Sequence, residues 1–320
     1  MKYLSLIKRT PALKTMQKDV LSGNISHCYL IISPDSGLIK TFFYASACLI
    51  MCGDGCCECA LCIKVKNNNH ADIRHILPEN GKGIDVERTK EIIESMLLSP
   101  IEAQKKIYYF YNGEKLSQTV QNKLLKTLEE PPQGVIIFIG TASEDAIITT
   151  VKSRARKLYI DNLDPEDIYL ELSKVYGESD KVYNAALMSG GNMERAERLI
   201  LDEEYIENLS EARNALTNLK KSADIIKYLN NPAFSKERLP DTLDLMEILL
   251  RDALEYSINN NNKSGDSGII IERYNTRALA IILDLVIKAK QKISSYCNNT
   301  NIIDNLLMNM LEVGYRCRKS

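Results

Sequence analysis

The chain has 320 residues, 45% of them apolar and 26% charged, with a formal net charge of −1. The length points to two or three domains, and the near-neutral balance supplies no global basic field for nucleic acid, so DNA contact would need a local patch or a partner. The longest apolar stretch, around Leu38 to Met51, contains Lys40 and is too short to span a bilayer.

CYLII, from Cys28 to Ile32, reads as a buried strand, followed by an apolar helix from Leu38 to Cys52. Asp72 to Leu77 is strand-like. Asp85 is placed to cap a helix that runs to about Ser99 and stops at Pro100. Lys106 to Tyr111 is an aromatic-rich central strand. Leu116, Val120, Leu124, Leu125 and Leu128 keep helical spacing up to Pro131 and Pro132. Val135 to Gly140 and Lys157 to Ile160 complete the strands. Strands separated by helices imply a parallel α/β sheet with helices on both faces. Beyond about Asn162 no strand is expected. Short helices fill 165–204, with Ser189 to Asn192 as a turn. Longer amphipathic helices follow around Leu243 to Leu254, Thr276 to Ser295 and Ile302 to Tyr315, with a polar loop from Asn259 to Gly268. The expected division is an α/β domain over 1–162, a small helical domain over 163–205 and an all-helical domain over 206–320. No internal repeat is evident.

The segment SPDSGLIKT, from Ser33 to Thr41, sits between the first strand and its helix, where a nucleotide-binding protein carries its phosphate loop. A working loop reads G-x-x-x-x-G-K-[ST]: glycines let backbone N–H groups curl around phosphates, Lys neutralises them, and a hydroxyl holds Mg²⁺. Here Ser33 and Leu38 replace the glycines, Ile39 the lysine and Lys40 the hydroxyl. Sliding the register by one aligns Lys40 and Thr41 but leaves branched Ile39 where backbone must approach closely. The plain alternative is a strand-to-helix turn capped by Asp35 or Ser36. The strand that should end in a Mg²⁺-binding acid ends in Tyr111 and Asn112. ATP hydrolysis is therefore not expected, although weak nucleotide binding stays open.

Nine cysteines are many for a reducing compartment, and the lack of a signal-peptide core in MKYLSLIKRT leads to the expectation of a cytoplasmic protein without a membrane partner. Cys52, Cys56, Cys59 and Cys62 have the spacing of a tetrahedral Zn²⁺ site, with Cys57 as a surplus thiol. Four thiolates leave no open position for water, so the site would be structural. An iron–sulfur cluster or free thiols are the alternatives. His70 and His75 read as ordinary polar residues, and Asp54 and Glu58 as solvated ones.

LLKTLEEPP (Leu124 to Pro132), a strand ending near Thr141, and Ser153-Arg154 before the last strand occur in an order that resembles the clamp-loader branch of the AAA+ ATPases. With the degenerate loop Ser33, Ser36, Leu38, Ile39, Lys40 and the four-cysteine insert, the resemblance is to its bacterial delta-prime subunits. It covers residues 1 to about 205 and extends beyond that only in helical pattern. It implies an AAA+ domain, a helical lid and a collar that joins a ring. It also implies a non-catalytic stator, with Arg154, beside Ser153, reaching ATP on a neighbouring subunit. The family's usual motif is Ser-Arg-Cys, and Ala155 stands here in place of the Cys. Thr141 falls at the sensor-1 position. Glu194 takes the sensor-2 arginine's place, with Arg195 one residue on. Implied partners are the gamma/tau motor and delta subunits of a hetero-pentameric loader within DNA polymerase III, with primed DNA and sliding clamp met mainly through the assembly. The alternatives are an active AAA+ ATPase and a zinc-dependent nucleic-acid-binding protein.

Overall fold

The computed structural model describes residues 3–78, 83–259, 266–294 and 299–316. Most of the polar stretch Asn259 to Gly268, together with Cys297 and Cys317, lies outside the described residues. The chain divides into two compact units: Met1–Glu171 with Gly191–Glu194, and Leu172–Gly190 with Arg195–Ser320.

In chain order the first unit begins with α1 (Leu4–Arg9), α2 (Pro11–Leu21), β1 (Cys28–Ile32), α3 (Ser36–Cys52), α4 (Ala60–Lys66), β2 (Ile73–Ile76) and α5 (Val86–Met96). It continues with β3 (Lys106–Phe110), α6 (Gln118–Glu129), β4 (Val135–Thr141), α7 (Thr149–Lys152) and β5 (Arg156–Tyr159). The strands form one parallel sheet in the order β2-β3-β4-β1-β5. Leu30 lies opposite both Ile139 and Lys157, which places β1 between β4 and β5.

Both faces of the central strands β1, β3 and β4 are covered, which is why these read as largely apolar runs, while the edge strands β2 and β5 are only partly buried. On one face Leu30, Tyr108, Phe110, Ile137 and Ile139 pack with Ile92 and Met96 of α5, Val120, Leu124 and Leu128 of α6, and Val151 of α7. On the other face Phe43 of α3 stacks on Tyr109 at 4.5 Å and meets Phe138 edge-on at 5.9 Å, while Tyr29 stacks on Phe138 at 5.1 Å. Such ring pairs each add about 0.5–1.5 kcal/mol beyond area burial. Gly140 lets α3 approach: a Cβ there would lie 2.5 Å from Ile39 and 2.9 Å from Phe43.

Among the boundaries that differ from the sequence reading are those of α6 and α5. Leu116 is buried as its spacing suggests, but it follows a 3₁₀ turn (Gly113–Lys115), and α6 starts only at Gln118. Helix α5 ends at Met96 rather than near Ser99. There the buried Lys106 ammonium donates to the Ser95 and Leu98 carbonyls, satisfying acceptors that further helix would have used.

The remaining helices are α8 (Pro165–Tyr176), α9 (Asp180–Met188), α10 (Met193–Leu201), α11 (Glu203–Asn218), α12 (Ser222–Leu229), α13 (Leu239–Asn259), α14 (Asp266–Arg273), α15 (Thr276–Ser294) and α16 (Asn299–Arg316). The second unit has no strand among its described residues. Its core holds the apolar stripe foreseen on α13, namely Leu243, Met246, Leu249, Leu250 and Ala253, whereas Leu254 is half-buried. Helix α13 packs on α15 and α11. Arg198 makes a bidentate pair with Asp241 at 2.6 and 3.0 Å and stacks over Tyr205, tying α10, α11 and α13 together. No helix among the described residues is long and apolar enough to cross a membrane.

Candidate functional site

The turn after β1 belongs to Asp35, which caps α3; Ser36 is the first helical residue. Asp35 Oδ1 accepts from the backbone N–H of Gly37 at 2.8 Å and Leu38 at 3.0 Å. Its Oδ2 accepts from the N–H of Met193 at 2.5 Å and Glu194 at 3.3 Å, where α10 begins. A helix N-terminus is a ready anion site, and here the chain's own carboxylate occupies it. Burial raises the Asp35 carboxyl above its ordinary pKa. The N–H groups of Leu38, Met193 and Glu194 act against that, and the Glu194 charge adds to it. Ser36 Oγ donates to Glu194, and Asn192 donates to the Pro34 carbonyl at 3.0 Å. Asp35→Ala would strand four donors, those of Leu38 and Met193 buried and those of Gly37 and Glu194 partly so, and a loss of about 2–4 kcal/mol is expected in urea unfolding of the sheet unit.

Of the loop residues singled out in sequence, Ser33, Ser36, Ile39 and Lys40 line one small cavity with Tyr111 and Thr141. Leu38 is instead buried in the core. The cavity measures about 90 Å³, against roughly 300–1,000 Å³ for ordinary ligand pockets. The strand-end acid is indeed missing, but Glu114 lies on the same wall, a carboxylate the sequence reading passed over. Its Oε2 accepts from Thr141 Oγ1 and the Ala142 N–H, both at 3.1 Å, and Asn112 donates to Oε1 at 3.3 Å. Asn112 has φ of 53°, and that left-handed turn folds Glu114 back beside β4. Tyr111 hydrogen-bonds His75 at 2.8 Å.

The cysteines come together because α3 ends on Cys52, α4 is preceded by Cys59, and Cys62 lies one turn inside α4. Gly53 and Gly55, with φ of 78° and 60°, make the tight return between them. The sulfurs of Cys52, Cys56, Cys59 and Cys62 all lie within 4.8 Å of one another. Three of the separations are 3.5, 3.9 and 3.9 Å. Sulfurs about 2.3 Å from a shared tetrahedral centre would be roughly 3.8 Å apart, so this set can hold a metal ion. Cys57 stands outside it, with φ of 66° and its thiol on the Gly55 carbonyl at 3.3 Å. Backbone N–H groups of Glu58 and Cys59 draw the Cys56 thiol down to about 6, while burial pushes Cys62 up. His70 and His75 are not in the sulfur group. Lys64 of α4 pairs with Glu102, and buried Asp72 accepts from the N–H groups of Ile101, Glu102 and Ala103 at 2.7–2.8 Å, so the module is anchored to the β2 side of the sheet.

Arg154 follows the short helix α7 by one residue, Ser153. Buried Gln121 of α6 fixes that segment: its amide donates to the carbonyls of Leu116 and Ala146 and accepts from the Ile148 N–H at 2.9 Å. Arg154 Nη2 meets Glu129 Oε1 at 2.6 Å, and Nη1 donates to the Thr150 carbonyl at 2.9 Å and lies 3.4 Å from Ser153 Oγ. The side chain is 34% exposed. A permanently charged, planar donor is thus held at the surface on rigid elements.

The family model described as DNA polymerase III, delta subunit, matches residues 8–164. The delta' subunit of DNA polymerase III from Haemophilus influenzae is 29% identical over 295 residues, covering 89% of this chain and 88% of its own. The corresponding delta' subunit from Bacillus subtilis is 22% identical over 323 residues, covering 94% and 95%. The tau subunit of Bacillus subtilis is 28% identical over 167 residues, covering 51% of this chain and 29% of its own.

Proposed function

The chain belongs to the DNA polymerase III delta-prime clamp-loader family, and from that membership we propose that it is the non-catalytic subunit of the loader. The observation that carries this reading is the Asp35 carboxylate at the head of α3. An incoming phosphate would meet a helix N-terminus already capped by Asp35, with Glu194 held on Ser36, and the cavity beside it measures only about 90 Å³. Lys40 lines that cavity without the loop glycines or an acid at the strand end, and the carboxylate on the cavity wall, Glu114, is engaged by Thr141 Oγ1 and the Ala142 N–H.

The chain's contribution to ATP chemistry is Arg154, presented to a neighbouring gamma/tau motor subunit. There it would stabilise charge developing on the transferred phosphoryl group. Cys52, Cys56, Cys59 and Cys62 hold a structural Zn²⁺, which cross-links the end of α3 to the start of α4. The first unit acts as a stator, the short helices after 162 as the lid remnant, and the C-terminal helices as a collar in a hetero-pentameric ring with motor and delta subunits. The net charge of −1 fits a cytoplasmic subunit that meets primed DNA and sliding clamp mainly through the assembly. Mixing the purified chain with motor and delta subunits should yield a stable complex on size exclusion whose ATP turnover exceeds that of the motor subunits alone. A chain that fails to co-elute, or co-elutes without raising turnover, would refute the assignment.

A further inference from the structure

We infer that Glu129 is a positioning residue that parks Arg154 until a neighbour's phosphate displaces it; this rests on reading Arg154 as a trans-acting finger. Glu129 is the last residue of α6, where exposed carbonyl ends disfavour a carboxylate. Its compensating partner is Arg154, at 2.6 Å. Pairing here has little to do with fold stability, because Glu129 is half exposed and Arg154 a third exposed, and such surface pairs contribute little.

What the pair does fix is the guanidinium. Nη2 is held by Glu129, and Nη1 by the Thr150 carbonyl beside Ser153 Oγ. These terminal nitrogens are the ones a phosphate engages bidentately. The carboxylate therefore stands in for the anion the finger is built to meet. Engagement becomes an exchange of one oxyanion for another, with α7 and Gln121 keeping the backbone in place. Until that exchange the finger is neutralised. The same contact links LLKTLEEPP, which ends α6, to the Ser-Arg pair after α7.

The test uses the full assembly reconstituted with wild-type chain, Glu129→Gln, Glu129→Asp, Arg154→Ala, or the Gln and Ala changes together. Glu129→Gln is expected to raise basal kcat for ATP about two- to five-fold with KM held, the scale of one surface ion pair, because the competitor is lost on the way to the transition state. Glu129→Asp should restore wild-type turnover, and the double variant should behave as Arg154→Ala alone. Unchanged or slower turnover in Glu129→Gln, or acceleration that persists without Arg154, would overturn the parking role while leaving the finger intact. Unchanged turnover in Arg154→Ala alone would remove the finger reading and the parking role together.

Discussion

Replacing Arg154 with Ala is expected to slow ATP hydrolysis at the adjoining motor site by about 10³-fold, the lower end of what such fingers supply. A guanidinium has a fixed charge and a planar fork, so once released from Glu129 it would engage a phosphoryl transition state bidentately. Arg154→Lys should recover little, since an ammonium is a point charge on a flexible stem. Neither change should disturb the fold: the Glu129 pair is solvent-exposed and contributes roughly 0–1 kcal/mol. Single-turnover hydrolysis by the reconstituted assembly separates this site from the other motor sites. Unchanged turnover there, with intact assembly, would remove the proposed role.

The second large effect concerns metal. Elemental analysis of protein purified without chelator is expected to find about one zinc per chain. Structural zinc contributes apparent binding energies of roughly 10–16 kcal/mol near pH 7 in small modules. Cys59→Ser or chelation should therefore unravel the stretch from Cys52 to Lys66, seen as lost hydrogen-exchange protection. The sheet core around Phe43, Tyr109 and Phe138 should persist, because its stacking does not depend on the sulfurs. Cys57→Ser should keep the stoichiometry, since that thiol faces the Gly55 carbonyl. Affinity should weaken as pH falls, because protons compete with metal for thiolate. A metal-free, well-folded module in wild-type protein would contradict the assignment.

Much of the fold was legible because the central strands are buried on both faces and the later helices carry long apolar stripes. Short α1 and α4 escaped notice, having too few turns to show a period, whereas α2, as long as α5, was passed over although Thr10 and Pro11 mark a helix start. Leu116 shows the limit of periodicity: it reported burial correctly but not helix. The cysteine group was readable because all four cysteines fall within one short stretch. Long-range pairings were not readable. The cap role of Asp35 was one of two local options, but its bond to the Met193 N–H spans 158 positions and has no local signature. Glu114 was missed because a left-handed Asn112 returns the chain to β4 after the strand has ended. Glu129 and Arg154 were each visible in their own motif, and only folding shows that one holds the other.

The most direct measurement is titration of the isolated chain with ATP and Mg²⁺, followed by assay for turnover. With Asp35 and Glu194 at the loop and only about 90 Å³ of space, no Mg²⁺-dependent hydrolysis is expected. No saturable binding is expected below about 1 mM, the upper end of ordinary enzyme KM values. Saturable, Mg²⁺-dependent hydrolysis by the isolated chain, abolished by Lys40→Ala, would show that the loop is a working nucleotide site and would contradict the proposal that ATP is turned over only next door.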